Sequence, residues 1–108
     1  MVLDILKQAV LGKRCLIGRY NGVERHFAPH AIGFTGDGTP AAFVYQYGGE
    51  TTSRLPMRGE WRCFLLHDLA DLRPSDHRWR TAPNYSLSRQ TCLADIVFAV
   101  AEGPATSL

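Results

Sequence analysis

The sequence predicts a small, mainly β domain with one short helix at its front. Three observations carry this reading. Residues 2–11 are the one stretch with clear helical spacing of apolar residues. Most of the remainder is short apolar runs broken by Gly, Pro and Asn, as strands and tight turns require. Asn21-Gly22 between two such runs is the strongest hairpin signal in the chain, because both central residues of a type I′ turn need positive φ.

The chain has 108 residues, enough for one domain and too few for a second core. Its 45% hydrophobic and 20% charged residues argue against disorder. We expect one domain over 1–102 and a small, polar, frayed tail over 103–108. No run approaches the ~18 apolar residues of a membrane span. The first residues carry Asp4 and Lys7 and no small-residue cleavage site, so they make a poor signal peptide. A cytoplasmic location and no membrane partner are the expectation. Cys15, Cys63 and Cys92 are far apart and odd in number, with no CxxC or Cys/His cluster. The expectation is three buried, reduced thiols, with neither a disulfide framework nor a metal site.

In the helix, Leu3, Leu6 and Val10 recur with Ile5 and Ala9 at intervals of three and four, Asp4 suits the N-terminal turn, and Gly12 is the stop. A strand over Cys15–Tyr20 leads into the Asn21-Gly22 turn. Its partner runs from Val23 to about Phe27, bends at Pro29 and continues to Phe34. Gly36-Asp37-Gly38 makes the next turn. The aromatic run Ala42–Tyr47 is a third strand. After Gly48 and Gly49 comes a polar loop with Thr51, Thr52, Ser53 and Pro56, expected to be mobile. Trp61–Leu66 is a fourth strand, and His67–Leu72 closes the sheet. Arg73–Tyr85, with Pro74 and Pro83, reads as an irregular wrap. The last strand, Ala94–Ala101, is apolar on both faces, which predicts cover on both sides, from the N-terminal helix or from a second subunit in a homodimer. Five or six short strands and one helix suggest a small barrel, which would leave no exposed edge.

Residues 5–72 resemble the WYL domain, particularly its short stand-alone bacterial form. The resemblance rests on Gly12-Lys13-Arg14 after the helix, Arg25-His26-Phe27-Ala28-Pro29-His30, the strand Phe43-Val44-Tyr45-Gln46-Tyr47, and Trp61-Arg62-Cys63-Phe64-Leu65-Leu66, in that order. It implies an Sm-like or SH3-like β-barrel and a ligand-sensing role in bacterial regulation. It also implies binding of a nucleotide or single-stranded nucleic acid through a basic, aromatic face. The family's Trp-Tyr-Leu tripeptide is absent, and Leu65 and Asp68 stand where the family usually carries arginines.

The candidate ligand residues are Arg25, His30, Tyr45, Tyr47 and Arg62, each with two readings. Arg25 contacts phosphate, with a histidine donating alongside, or it pairs with a neighbouring acid at a solvated edge. Tyr45 and Tyr47, two apart on one strand face, stack a base or fill the core. Arg62 points away from Trp61 on a regular strand, toward ligand or solvent. Arg73, His77, Arg78 and Arg80 around Trp79 hold a nucleic-acid backbone or tie Trp79 onto the sheet. Ten of the twelve basic residues are Arg, whose planar fork suits phosphate. No catalytic motif is present, and His67-Asp68 and Asp76-His77, as sequence neighbours, do not point the same way along a strand. A binding protein without cofactor is therefore expected rather than an enzyme. The alternative is a degenerate barrel serving protein–protein assembly.

Overall fold

A computed structural model describes residues 2–49, 59–82 and 84–101. The loop residues Thr51, Thr52, Ser53 and Pro56, Pro83 and the tail 103–108 lie outside these. The elements are α1 (Val2–Gly12), β1 (Leu16–Tyr20), β2 (Val23–Phe34), β3 (Pro40–Gly49), β4 (Glu60–Leu65), a 3₁₀ turn (Leu66–Asp68), β5 (Leu69–Pro74) and β6 (Asp95–Ala99). Among the described residues no helix is long and apolar enough to cross a membrane.

The Asn21-Gly22 turn forms as its residues dictate. Both have positive φ, 53° and 77°, and the turn joins β1 to β2 in the antiparallel register Tyr20↔Val23 to Leu16↔Phe27. The bend expected at Pro29 is a bulge rather than a break. Pairing with β3 passes from Pro29↔Val44 to Ala31↔Phe43, which leaves His30 with no partner in β3. β2 therefore runs unbroken through twelve residues. One of its edges pairs with β3; the other takes β1 along its first half and β6 along its second. Gly33 makes the second pairing feasible, since a Cβ there would land on the Asp95 carbonyl oxygen.

The main sheet order is β4-β3-β2-β1-β5. Its two outermost strands are consecutive in the chain, linked by the three residues Leu66–Asp68. So short a link between opposite ends requires a strongly curled sheet. Tyr20 braces the approach: its ring stacks on Phe64 at 4.2 Å, and its hydroxyl accepts the Leu65 N–H at 3.1 Å. No ladder joins β4 to β5, so the sheet is curled but open. The mainly β fold with one short helix is as expected, and its six strands form one open antiparallel sheet that is not closed into a barrel. One side chain and one turn hold the edges together where a barrel would use backbone pairing.

Both faces of this sheet are covered. Leu6, Ala9 and Val10 of α1 are buried with Leu16, Phe27, Ile32, Val44 and Phe64 on the inner side of the curl. On the outer side, residues 75–93 carry no strand or helix in their described part and fold back over Phe43, Tyr45 and Trp61. That return brings Cys92 to Cys63. They form a disulfide with Cα atoms 5.3 Å apart, inside the usual range. The expectation of three reduced thiols is thus corrected: only Cys15 is free, and it is buried. Cover for β6 is also incomplete. Val100 is buried and the Lys7 ammonium sits 4.7 Å from the Phe98 ring, while Ile96, Val97 and Phe34 stay exposed.

The Gly33 contact sets a test of the β2–β6 packing. Gly33→Ala loses roughly 2 kcal/mol or more in urea denaturation, as overpacking against backbone does. Gly36→Ala, where nothing lies within 4 Å, stays within about 0.5 kcal/mol of the parent. Equal stability of the two variants would contradict the packing.

Candidate ligand-binding site

Strand alternation divides the five candidate residues between the two faces. Tyr45 pairs with Trp61 and faces outward, whereas Val44 pairs with Arg62 and Gln46 with Glu60 on the inward side. Arg25, two residues before the inward Phe27 stacked edge-on to Phe64 and so on the same face, has its guanidinium 5.6 Å from the Tyr20 ring centroid and 5.8 Å from that of Phe64.

Arg25 is the least expected feature. It is 5% exposed. Its Nη1 donates to Gln46 Oε1 at 3.2 Å, and the Gln46 amide is held in turn by donating from Nε2 to the Gly48 carbonyl at 3.2 Å. Its Nε is buried, with no hydrogen-bond partner among the described residues. Among the described residues no acid pairs with Arg25, because the adjacent Glu24 turns to His26 at 3.0 Å and Arg73 at 3.5 Å. Burial, and then the nearby positive charge of Arg62, push the Arg25 guanidinium below its ordinary pKa. Arg62 is paired with Glu60 at 2.9 Å. The two arginines are thus close enough to repel.

Arg62 also borders a cleft of about 540 Å³ between β4 and the wrap, a size that suits a small molecule. Phe43 and Trp61 line it from the sheet, and Asn84 and Arg89 from the wrap. Trp61 stacks on Phe43 at 4.7 Å and on Tyr85 at 5.3 Å, and its Nε1–H donates to Asn84 Oδ1 at 2.8 Å. This aromatic wall with Arg89 beside it was not legible in the sequence. Arg89 and Asn84 sit in no motif, and only the return of the wrap sets them beside β4.

His30 goes elsewhere. As the bulge residue it points into the seam between sheet and wrap, fully buried against Trp79 at 4.6 Å, Trp61 at 4.8 Å and Tyr85 at 4.9 Å. Its Nδ1 lies 2.8 Å from the Ala28 carbonyl, which must accept, so Nδ1 carries the proton and Nε2 accepts from the Thr81 hydroxyl at 3.1 Å. Burial pushes its pKa down to about 4, partly opposed by the Ala28 carbonyl. With both nitrogens engaged and no exposed surface, His30 pins the wrap rather than facing an open surface. Tyr45 and Tyr47 are half-buried under the same wrap. His77 stacks on Tyr47 at 3.9 Å, and burial raises the Tyr47 phenol to about 12. Neither tyrosine offers an open platform. Within the basic cluster, Trp79 packs on His30, and Arg78 and Arg80 border the small space under the tyrosines. Among the described residues no cluster of His, Cys, Asp or Glu could hold a metal ion.

The neutral His30 makes stability depend on pH. Its folded pKa lies below the unfolded value near 6.5, so the unfolded chain binds the extra proton more readily. Its contribution is full above about pH 6.5 and is lost as pH falls toward 4, by roughly 3 kcal/mol in all. Its imidazole resonances, followed by NMR, should titrate near pH 4, and a midpoint near 6.5 would contradict the buried placement. Comparisons with protein-family models, with curated proteins and with solved structures each found no match to this chain.

Proposed function

We propose that this chain is a stand-alone WYL-like sensing module that binds a nucleotide or single-stranded nucleic acid and acts in bacterial regulation in the cytoplasm. The observation that carries the proposal is Arg25, a buried guanidinium that has no carboxylate partner among the described residues and lies beside a second arginine. Burying an uncompensated cation is costly. An anionic group drawn to the Arg25–Arg62 pair on the inner face offsets that cost, and on the other face of the edge strand β4 the cleft bordered by Arg89 supplies aromatic surface for a base. The N-terminal helix and the short 3₁₀ link between the outermost strands are consistent with an Sm-like ancestry for the curled sheet. Phosphate and ring recognition need no catalytic group, so the module is read as a binder and not an enzyme.

A panel of mononucleotides and short single strands tests this by thermal shift, because a ligand preferring the native state raises its Tm. At least one member should raise Tm at low salt. Where a strand binds, Arg62→Ala should weaken it about tenfold and lower the salt slope by about 0.7. No shift with any member at low salt would overturn the reading.

A second reading, assembly with another copy of the chain, is favoured by β6. Among the described residues no strand pairs the edge of β6 opposite β2, and Phe34, Ile96 and Val97 leave apolar surface beside it. Light scattering at micromolar concentration should then give a dimer mass for the parent and a monomer mass for Val97→Lys. A monomeric parent would dispose of it.

A further inference from the structure

We propose that the aromatic cleft selects guanine, the base whose adjacent acceptors O6 and N7 meet the hydrogen-bond donors of Arg89 and Asn84. The inference rests on the nucleotide reading above and names the base that its cleft takes.

The polar side chains at the cleft are biased toward donation. An indole N–H only donates, so the Asn84 atom 2.8 Å from Trp61 Nε1 is necessarily its oxygen. What Asn84 then presents is its NH2 group, a donor. Gln90 commits both ends of its amide to Leu93: Nε2 donates to the carbonyl at 2.7 Å, and Oε1 accepts the N–H at 2.7 Å. The Arg89 guanidinium donates and has no acceptor. Ser86 and Thr91 add hydroxyls, which serve either way and do not discriminate. Among the described residues lining the cleft none is Asp or Glu, so no carboxylate there invites a base amino group.

These donors sit on a well-held platform. The Ser86 hydroxyl accepts the Arg89 N–H at 3.3 Å and the Ser86 carbonyl accepts the Gln90 N–H at 3.2 Å, which closes a turn around Arg89. That turn is anchored on both sides. Tyr85, Cys92 and Leu93 are buried in the core with Leu87 packed against it, and Cys92 is bonded to Cys63 of β4. Asn84 is tied to Trp61, whose ring stacks on Phe43. Donors fixed before the ligand arrives lose less freedom on binding.

Guanine answers this arrangement. Its O6 and N7 lie side by side on one edge, the pair that a guanidinium fork meets with two bonds. Adenine carries an amino group beside N7, and cytosine carries one at N4, so each would set donor against donor. Phe43 and Trp61 give the purine an apolar wall, in a cleft of about 540 Å³.

Calorimetric titration of the whole chain at low salt tests the preference with the monophosphates of guanosine, inosine, 7-deazaguanosine, adenosine and cytidine. The guanosine and inosine compounds, which share O6 and N7, should bind alike and about tenfold more tightly than the other three. Asn84→Asp keeps an oxygen for Trp61 and replaces the donor by an acceptor; it and Arg89→Ala should each abolish the preference for guanosine over adenosine monophosphate. Equal binding of those two by the parent chain, or undiminished binding of the 7-deaza compound, overturns the proposal and leaves the nucleotide reading standing. A preference that survives both substitutions overturns it as well. Binding of none of the five overturns both. The comparison among nucleotides uses the parent chain alone and holds even if a variant does not fold.

Discussion

Every strand of this sheet is hydrogen-bonded either to β2 or to a neighbour of β2. β3 takes one edge; β1 and β6 divide the other; β4 and β5 follow through β3 and β1. A strand that serves two partners on one edge must change direction partway without losing its own ladder, and the bulge at His30 does this. The same extra residue swings an imidazole out of the sheet and under the wrap. One local irregularity therefore sets both the curl of the sheet and the anchor for the segment that covers its outer face. Because each residue before the bulge keeps its side of the pleat, Phe27 goes to the core, and Arg25, two positions earlier, is carried inward with it.

That placement explains why the charges of this small protein are so unequal. The surface ion pairs, Glu24 with His26 and Arg73 and Asp68 with His67, are exposed, and solvent screening leaves them little weight in stability. Arg25 instead sits among Tyr20, Phe64 and Gln46, where two rings and one amide oxygen replace a hydration shell. Rings and amides stabilise a guanidinium only in part. An otherwise well-packed core that retains such a residue is keeping an unbalanced local charge.

The outer face obeys a different logic. The described residues of 75–93 have no ladder, and aromatic stacking, the His30 hydrogen bonds and one covalent bond tie them to the sheet. The packing runs continuously from Trp79 through His30 to Trp61, Tyr85 and Phe43. It ends at the cleft and the disulfide. The cleft exists because the wrap meets the sheet along a seam of rings and leaves the strip beside β4 unfilled.

The helix, the Asn21-Gly22 turn and the approximate course of all six strands could be read from the sequence, because each is decided by neighbours. Spacing of three and four sets the helix, positive φ sets the hairpin, and runs of β-branched and aromatic residues set the strands. The inward or outward assignment of Tyr45 against Arg62 was similarly accessible through alternation. What the sequence left open depends on residues far apart in the chain. Cys63 and Cys92 are separated by 29 positions, and their pairing needs the wrap to return across β4. The bulge that buries His30 is a mismatch between two strands and belongs to neither alone. Whether Arg25 meets Glu24 or the core is decided by the side of the pleat it shares with Phe27, and the cleft by where Asn84 and Arg89 come to rest. Short-range backbone preference is written residue by residue, whereas burial, partner choice and disulfide pairing are sums over the packed whole, and only the tertiary structure evaluates them.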